Sequence, residues 1–272
     1  MYRLTDGKIN IMTCIVIMAV ILGVAICGMQ QDTTASTSCV DNKTMNGTEI
    51  AEVSATDGDL QLYAKNAVLI DGETGDILYE KNADAHRPNA STTKILTCIL
   101  ALECGNLEDT VAVSSYAAKQ PEVRLGAQEG ESYTLEDMLY AMMLESYNDT
   151  AVMIAEHIGG SMEVFADMMN RKAREIGCHS TYFITPNGLD AQDESGGHGT
   201  SADDLARIMR YCILVSPERD MFLKITQSSS HTFSEKSGSR TFSCVNHNAF
   251  LNMSSDCLLY TSPSPRDGAT SR

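Results

Sequence analysis

The stretch from Ile95 to Glu103, ILTCILALE, is apolar nearly all round. A helix with no polar face to offer water has to lie inside the molecule, with other elements wrapped about it. One buried central helix therefore organises whatever this chain folds into, and Gly105 is placed to stop it. The residues just before the helix gain weight from this. Arg87-Pro88-Asn89-Ala90 reads as a loop, and Ser91-Thr92-Thr93-Lys94 as the entry to the helix. A serine and a lysine three residues apart on a helix share one face. A lysine that enters a buried helix loses its water, which favours the neutral amine and lowers its pKa. Such an amine is a general base, and a serine hydroxyl is a poor nucleophile without one. The plain alternative for these four residues is a helix N-cap serine followed by a surface lysine. The apolar run after Lys94 weighs against it.

The rest of the chain mixes strands and helices. Ala67–Ile70 and Ile77–Glu80 flank Asp71-Gly72-Glu73-Thr74-Gly75-Asp76 as a hairpin, and Thr110–Val113 is a strand. Thr134-Leu135-Glu136-Asp137 starts a helix that runs to Leu144. Residues 149–158 and 162–176 are two amphipathic helices separated by Gly159-Gly160, and Thr185-Pro186-Asn187-Gly188 is a turn. A further helix spans 200–215 with Thr200 as its N-cap, and a second hairpin turns at Lys236-Ser237-Gly238-Ser239. Strands and helices do not alternate strictly, which points to an α+β or sandwich layering and not to a doubly wound sheet.

Ser91-x-x-Lys94 and Ser146-Tyr147-Asn148 are the only Ser-x-x-Lys and Ser-x-Asn in the chain. The second lies in the turn between two predicted helices. Its serine offers a hydroxyl that can relay protons, and Asn148 an amide that can hold a substrate carbonyl or fix Lys94. An ordinary helix cap at Asn148 or Asp149 is the alternative there. In this order and at this spacing the pair resembles the first two of three motifs of the serine penicillin-recognising enzymes. Other segments are similar to one branch of them, the D-alanyl-D-alanine carboxypeptidases among the low-molecular-mass penicillin-binding proteins. They are Ala67-Val68-Leu69-Ile70-Asp71 with Leu78-Tyr79-Glu80-Lys81, Ser146-Tyr147-Asn148-Asp149-Thr150-Ala151, Thr185-Pro186-Asn187-Gly188-Leu189-Asp190 and Thr200-Ser201-Ala202-Asp203-Asp204-Leu205-Ala206. The similarity covers roughly residues 63–253.

The resemblance implies a β-lactamase/transpeptidase-like α+β fold, an antiparallel sheet packed with a helical cluster. It implies that Ser91 attacks the carbonyl of the penultimate D-alanine of a peptidoglycan pentapeptide, with Lys94 as base. Ser146 would pass the proton to the departing D-alanine, Asn148 would bind the substrate amide, and the Ser91 backbone N–H would be half of an oxyanion hole. β-Lactam antibiotics would acylate the same serine. The family's third motif, Lys-Thr-Gly, has no match in the chain. Lys236-Ser237-Gly238 comes too early, before Asn246-His247-Asn248, and reads as a solvated turn. Ser254–Arg272 resembles nothing in the family and is expected to be a non-native tail after a truncated frame, with the late strands missing. The first hairpin is then left with an unpaired edge, and little or no carboxypeptidase activity is expected of this polypeptide. A β-lactamase with the same two motifs, and a non-catalytic cell-wall-binding module, are the competing readings.

Arg3 and Lys8 precede an apolar run from Ile11 to Cys27. Residues 1–29 read as a signal peptide or signal anchor whose poor cleavage site favours export with retention at the outer face of the membrane. Residues 30–60 are polar and read as a flexible linker, residues 61–253 as the incomplete catalytic domain. A net charge of −16 argues against nucleic-acid binding. Of nine cysteines, Cys98, Cys104, Cys178 and Cys212 read as small core residues. Glu156-His157 reads as an exposed helix pair. No metal, cofactor or disulfide framework is expected.

Overall fold

The computed structural model describes residues 62–248. The N-terminal apolar run, the linker and residues 254–272 lie outside them. Among the described residues there are six α-helices: α1 Lys94–Cys104, α2 Leu135–Glu145, α3 Asn148–Gly159, α4 Met162–Ile176, α5 Ala202–Arg210 and α6 Arg219–Gln227. The eight strands among the described residues form four two-stranded antiparallel ribbons. They are β1 Ala67–Ile70 with β2 Ile77–Lys81, β3 Thr110–Ala112 with β4 Ser132–Thr134, β5 Gln192–Asp193 with β6 Gly196–Gly197, and β7 Ser230–Ser234 with β8 Thr241–Val245. None of the described helices is long and apolar enough to cross a membrane.

The central helix is α1. All residues from Lys94 to Leu102 are buried, and α1 packs against each of the other five helices. Met138, Leu139 and Met142 of α2, Val152 and Met153 of α3, Phe165 and Met169 of α4, and Phe222 and Ile225 of α6 complete this core. Each side chain of that size stabilises the fold by about 1.5–3 kcal/mol on burial. Helix α5 has two apolar faces. Leu205, Ile208 and Met209 join the main core, while Ala206 packs with Val68, Ile70 and Ala83 under the first hairpin. The second hairpin lies on α2, with Phe233 and Phe242 edge-on to Tyr133 at 6.0 Å.

Gly105 ends α1 for a reason of space. A Cβ there would lie 2.6 Å from Leu135 Cδ2 and 2.7 Å from Ile158 Cδ1. Several expectations are corrected. The helix expected over 200–215 starts at Ala202, capped by Ser201, whose hydroxyl accepts from the Asp204 N–H. Thr200 is not the cap because its N–H and C=O pair with Arg87 in an antiparallel bridge, which holds it extended. The same helix widens into a π-turn at Tyr211–Val215. Helix α6 escaped the sequence reading because its nine residues bury only Phe222, Ile225 and Thr226. Cys104 is exposed, unlike Cys98, Cys178 and Cys212. Glu156 and His157 are not a solvated pair: Ser114 Oγ donates to Glu156 Oε1 at 3.0 Å, and His157 Nε2 lies 3.2 Å from Asp109 Oδ2.

Candidate active site

Ser91 does not lie on α1 itself. It sits in a 3₁₀ turn, Ala90–Thr93, that leads into the helix. In 3₁₀ geometry residues i and i+3 eclipse, so the spacing brings Lys94 over Ser91 more closely than an α-turn would. The turn is built locally. Thr92 Oγ1 donates to the Asn89 carbonyl at 2.6 Å, and Asn89 Nδ2 donates to Thr93 Oγ1 at 2.9 Å. Ala90, just before the serine, has φ +45°, a left-handed conformation that costs an alanine about 1 kcal/mol.

Lys94 is 2% exposed. Its Nζ donates to Ser91 Oγ at 3.0 Å, Asn148 Oδ1 at 2.9 Å and the Asn187 carbonyl at 2.9 Å. Burial pushes its pKa down to about 7, and the Asp149 carboxylate opposes that only in part. Three acceptors saturate an ammonium. When the amine is neutral its lone pair is left to face one of them, and only Ser91 Oγ carries a proton to give. The arrangement can therefore deprotonate Ser91 near neutral pH.

Asn148 opens α3 and is 3% exposed. Its N–H donates to the Val123 carbonyl at 2.7 Å and its Nδ2 to the Pro121 carbonyl at 3.3 Å. Of the two uses of its amide left open by the sequence, the structure displays the one that fixes Lys94. Ser146 occupies the left-handed C-cap of α2, with φ +61°, and is 8% exposed. It shares the α2–α3 corner with Asn148, but its hydroxyl bonds to none of Ser91, Lys94 and Asn148. Lys236 is at the tip of the β7–β8 hairpin, as expected, and docks on the β3–β4 ribbon: its N–H donates to the Ser132 carbonyl and its Nζ to Thr110 Oγ1.

Three residues that support the site escaped the sequence reading. Asn187, read as part of a turn and of a family-like segment but given no role, supplies the third acceptor to Lys94 through its backbone. Its Nδ2 donates to Gln120 Oε1 at 3.2 Å. Asp149, 1% exposed, accepts from the N–H groups of Leu125, Gly126 and Ala127 and so holds the segment whose Pro121 and Val123 carbonyls bind Asn148. His198 bonds to Thr93. The signal for Asn187 was Gly188: φ is +83°, and a Cβ there would lie 1.8 Å from the Ala90 carbonyl oxygen. Asp149 was marked only as a candidate helix cap and as part of the family-like segment after Ser146, and nothing in the sequence pattern marked His198.

A sequence profile for D-alanyl-D-alanine carboxypeptidase matches residues 51–258. The chain is similar to D-alanyl-D-alanine carboxypeptidase DacF of Bacillus subtilis, 40% identical over 148 residues that cover 53% of this chain and 37% of DacF. Among solved structures it resembles a D-alanyl-D-alanine carboxypeptidase from Mycobacterium tuberculosis at 29% identity and a TM-score of 0.61, covering 69% of this chain and 68% of that one. It also resembles a mutant of Streptomyces K15 DD-transpeptidase at 25% identity and a TM-score of 0.67, covering 76% and 83%. The chain spans 37–58% of the length of the first curated relatives.

Proposed function

Because the chain belongs to the D-alanyl-D-alanine carboxypeptidase family, we propose that it is a serine-type carboxypeptidase that removes the terminal D-alanine from peptidoglycan pentapeptides through an acyl-enzyme on Ser91. The observation that carries this reading is the contact of Lys94 Nζ with Ser91 Oγ at 3.0 Å, from a buried lysine whose pKa is pushed down to about 7. The neutral amine takes the Ser91 proton as Oγ attacks the carbonyl carbon of the penultimate D-alanine. The oxyanion forms beside the Ser91 backbone N–H. The C–N bond then breaks, and the departing D-alanine nitrogen takes the proton from Lys94 by way of Ser146. Water enters by the reverse route and releases the shortened peptide. Asn148 holds Lys94 through Oδ1, and of the two hydrogens on its Nδ2 one goes to the Pro121 carbonyl at 3.3 Å and the other to the carbonyl of the substrate amide.

β-Lactams acylate the same oxygen and stay longer. The enzyme acts outside the cytoplasm, with residues 1–29 as its export signal or membrane tether. The test is time-resolved labelling of the full chain with a fluorescent penicillin, followed by peptide mapping and an assay of D-alanine release. A slowly growing label on Ser91 that is absent from Ser91→Ala supports the reading. A label that survives Ser91→Ala, no label after prolonged incubation, or rapid β-lactam hydrolysis overturns it.

A further inference from the structure

We infer that His198 is a positioning residue for the Ser91–Lys94 pair, a neutral imidazole that joins the turn bearing the serine to the loop bearing the third acceptor of the lysine. The inference rests on the reading that Ser91 is acylated, but its grounds are separate. His198 is 3% exposed. Its Nδ1 accepts from the Ile184 N–H at 2.9 Å and from the Thr185 N–H at 3.3 Å. Backbone N–H groups can only donate, so Nδ1 carries no proton. The ring proton is then on Nε2, which lies 2.9 Å from Thr93 Oγ1 and donates to it. The chain itself thus selects the tautomer. Phe183 packs against the ring with centroids 5.4 Å apart.

The two ends of this bridge matter to the chemistry. Thr93 lies in the 3₁₀ turn with Ser91 and directly precedes Lys94. Ile184 and Thr185 lead into Pro186 and Asn187. There the Pro186 carbonyl accepts from Thr97 Oγ1 at 2.7 Å, and the Asn187 carbonyl accepts from Lys94 Nζ at 2.9 Å. The imidazole and the Lys94 amine therefore tie the same loop to the same turn at two points. Without the imidazole, Thr93 and the Ile184–Thr185 backbone have no common partner, and the Asn187 carbonyl is free to drift from Nζ. Neither carboxamide replaces the ring. Asparagine reaches the place of Nδ1 but not Thr93, and glutamine reaches Thr93 but leaves the two backbone donors unpaired.

The experiment compares second-order labelling of Ser91 by a fluorescent penicillin in the full chain and in His198→Gln, Thr93→Val, Thr93→Ser and the His198→Gln/Thr93→Val double variant. Saturation kinetics separate non-covalent binding from the acylation step. The acylation rate constant is expected to fall about ten- to a hundredfold in His198→Gln and in Thr93→Val. Binding is expected to change little, Thr93→Ser to restore most of the rate lost in Thr93→Val, and the double variant to be no slower than the slower single one. The ¹⁵N histidine spectrum of the parent should display a ring protonated at Nε2 and bare at Nδ1 that is absent from His198→Gln. Acylation by His198→Gln or Thr93→Val within twofold of the parent overturns the inference, as do losses in the two variants that multiply in the double one. A parent that acquires no label overturns the reading of Ser91 itself, and the inference with it.

Discussion

Lys94 carries the chemistry at the residue scale through burial alone. Its pKa falls because water is excluded from the first turn of α1, not because another cation repels it. The neutral fraction grows as pH rises through the folded-state pKa, so the rate of acylation should rise between about pH 6 and about pH 8 and then level off. A labelling time course across that range tests this, and a rate that falls over the interval would contradict it. The same shift affects stability. The folded pKa is about 7 against an ordinary 10.5. Between those values the unfolded chain binds a proton that the folded chain lacks, so this group makes the fold more stable with rising pH across that window and contributes no slope below it. The motif residues were legible in the sequence because hydroxyl, amine and amide are identities, and identities survive without coordinates. Asn187 was not legible in that way, since it acts through a carbonyl that every residue possesses.

The decisive element is the 3₁₀ turn, and it depends on a loop far away in sequence. Gly188 approaches Ala90 so closely that a side chain there would meet the Ala90 carbonyl at 1.8 Å, in a backbone conformation, φ +83°, that already disfavours one. That neighbour is backbone and cannot rotate away. Gly188→Ala should therefore cost about 2–4 kcal/mol in urea unfolding and slow acylation by pushing the Asn187 carbonyl off Lys94. Normal unfolding with normal acylation would show the contact to be slack. The α1 helix was readable from its unbroken apolar run, α3 and α4 from their amphipathic periodicity, and the first and last hairpins from their turn residues. The N-terminus of α5 was misplaced because Thr200 and Ser201 are equally good caps in isolation. The pairing of Thr200 with Arg87 decides between them, and that pairing joins segments more than a hundred residues apart.

The whole molecule is arranged around α1, and its far end is tied down as firmly as its active end. Glu103 accepts from Lys172 at 2.8 Å, from Tyr211 at 2.7 Å and from Ser216 at 2.6 Å, which joins α1 to α4 and to the π-turn. Its carboxyl is held below the usual range: burial works to raise it, and the bonds from Lys172, Ser216 and Tyr211 outweigh that. Glu103→Ala leaves three donors short of a partner and should destabilise the fold by about 2–3 kcal/mol. Urea unfolding measures it, and a loss under 0.5 kcal/mol on the order expected of a surface site would refute it. The first hairpin is the weak side of the molecule. Ile77 and Leu78 of β2 are 43% and 45% exposed, on a strand that pairs only with β1 among the described residues.

By itself the sequence determined that a helix must be buried, that a lysine must be buried with it, and that a serine stands three residues before that lysine. These follow from which residues are apolar and how far apart the others stand, and both are properties of a linear chain. Only the tertiary structure decided how the lysine is held. Its acceptors come from a 3₁₀ turn, the start of α3 and a loop beyond α4. The tautomer of His198 is set by two backbone donors and one hydroxyl from segments far apart in the chain. Carbonyls, backbone N–H groups and the exclusion of water carry no residue signature, so they appear only when the chain has closed around them.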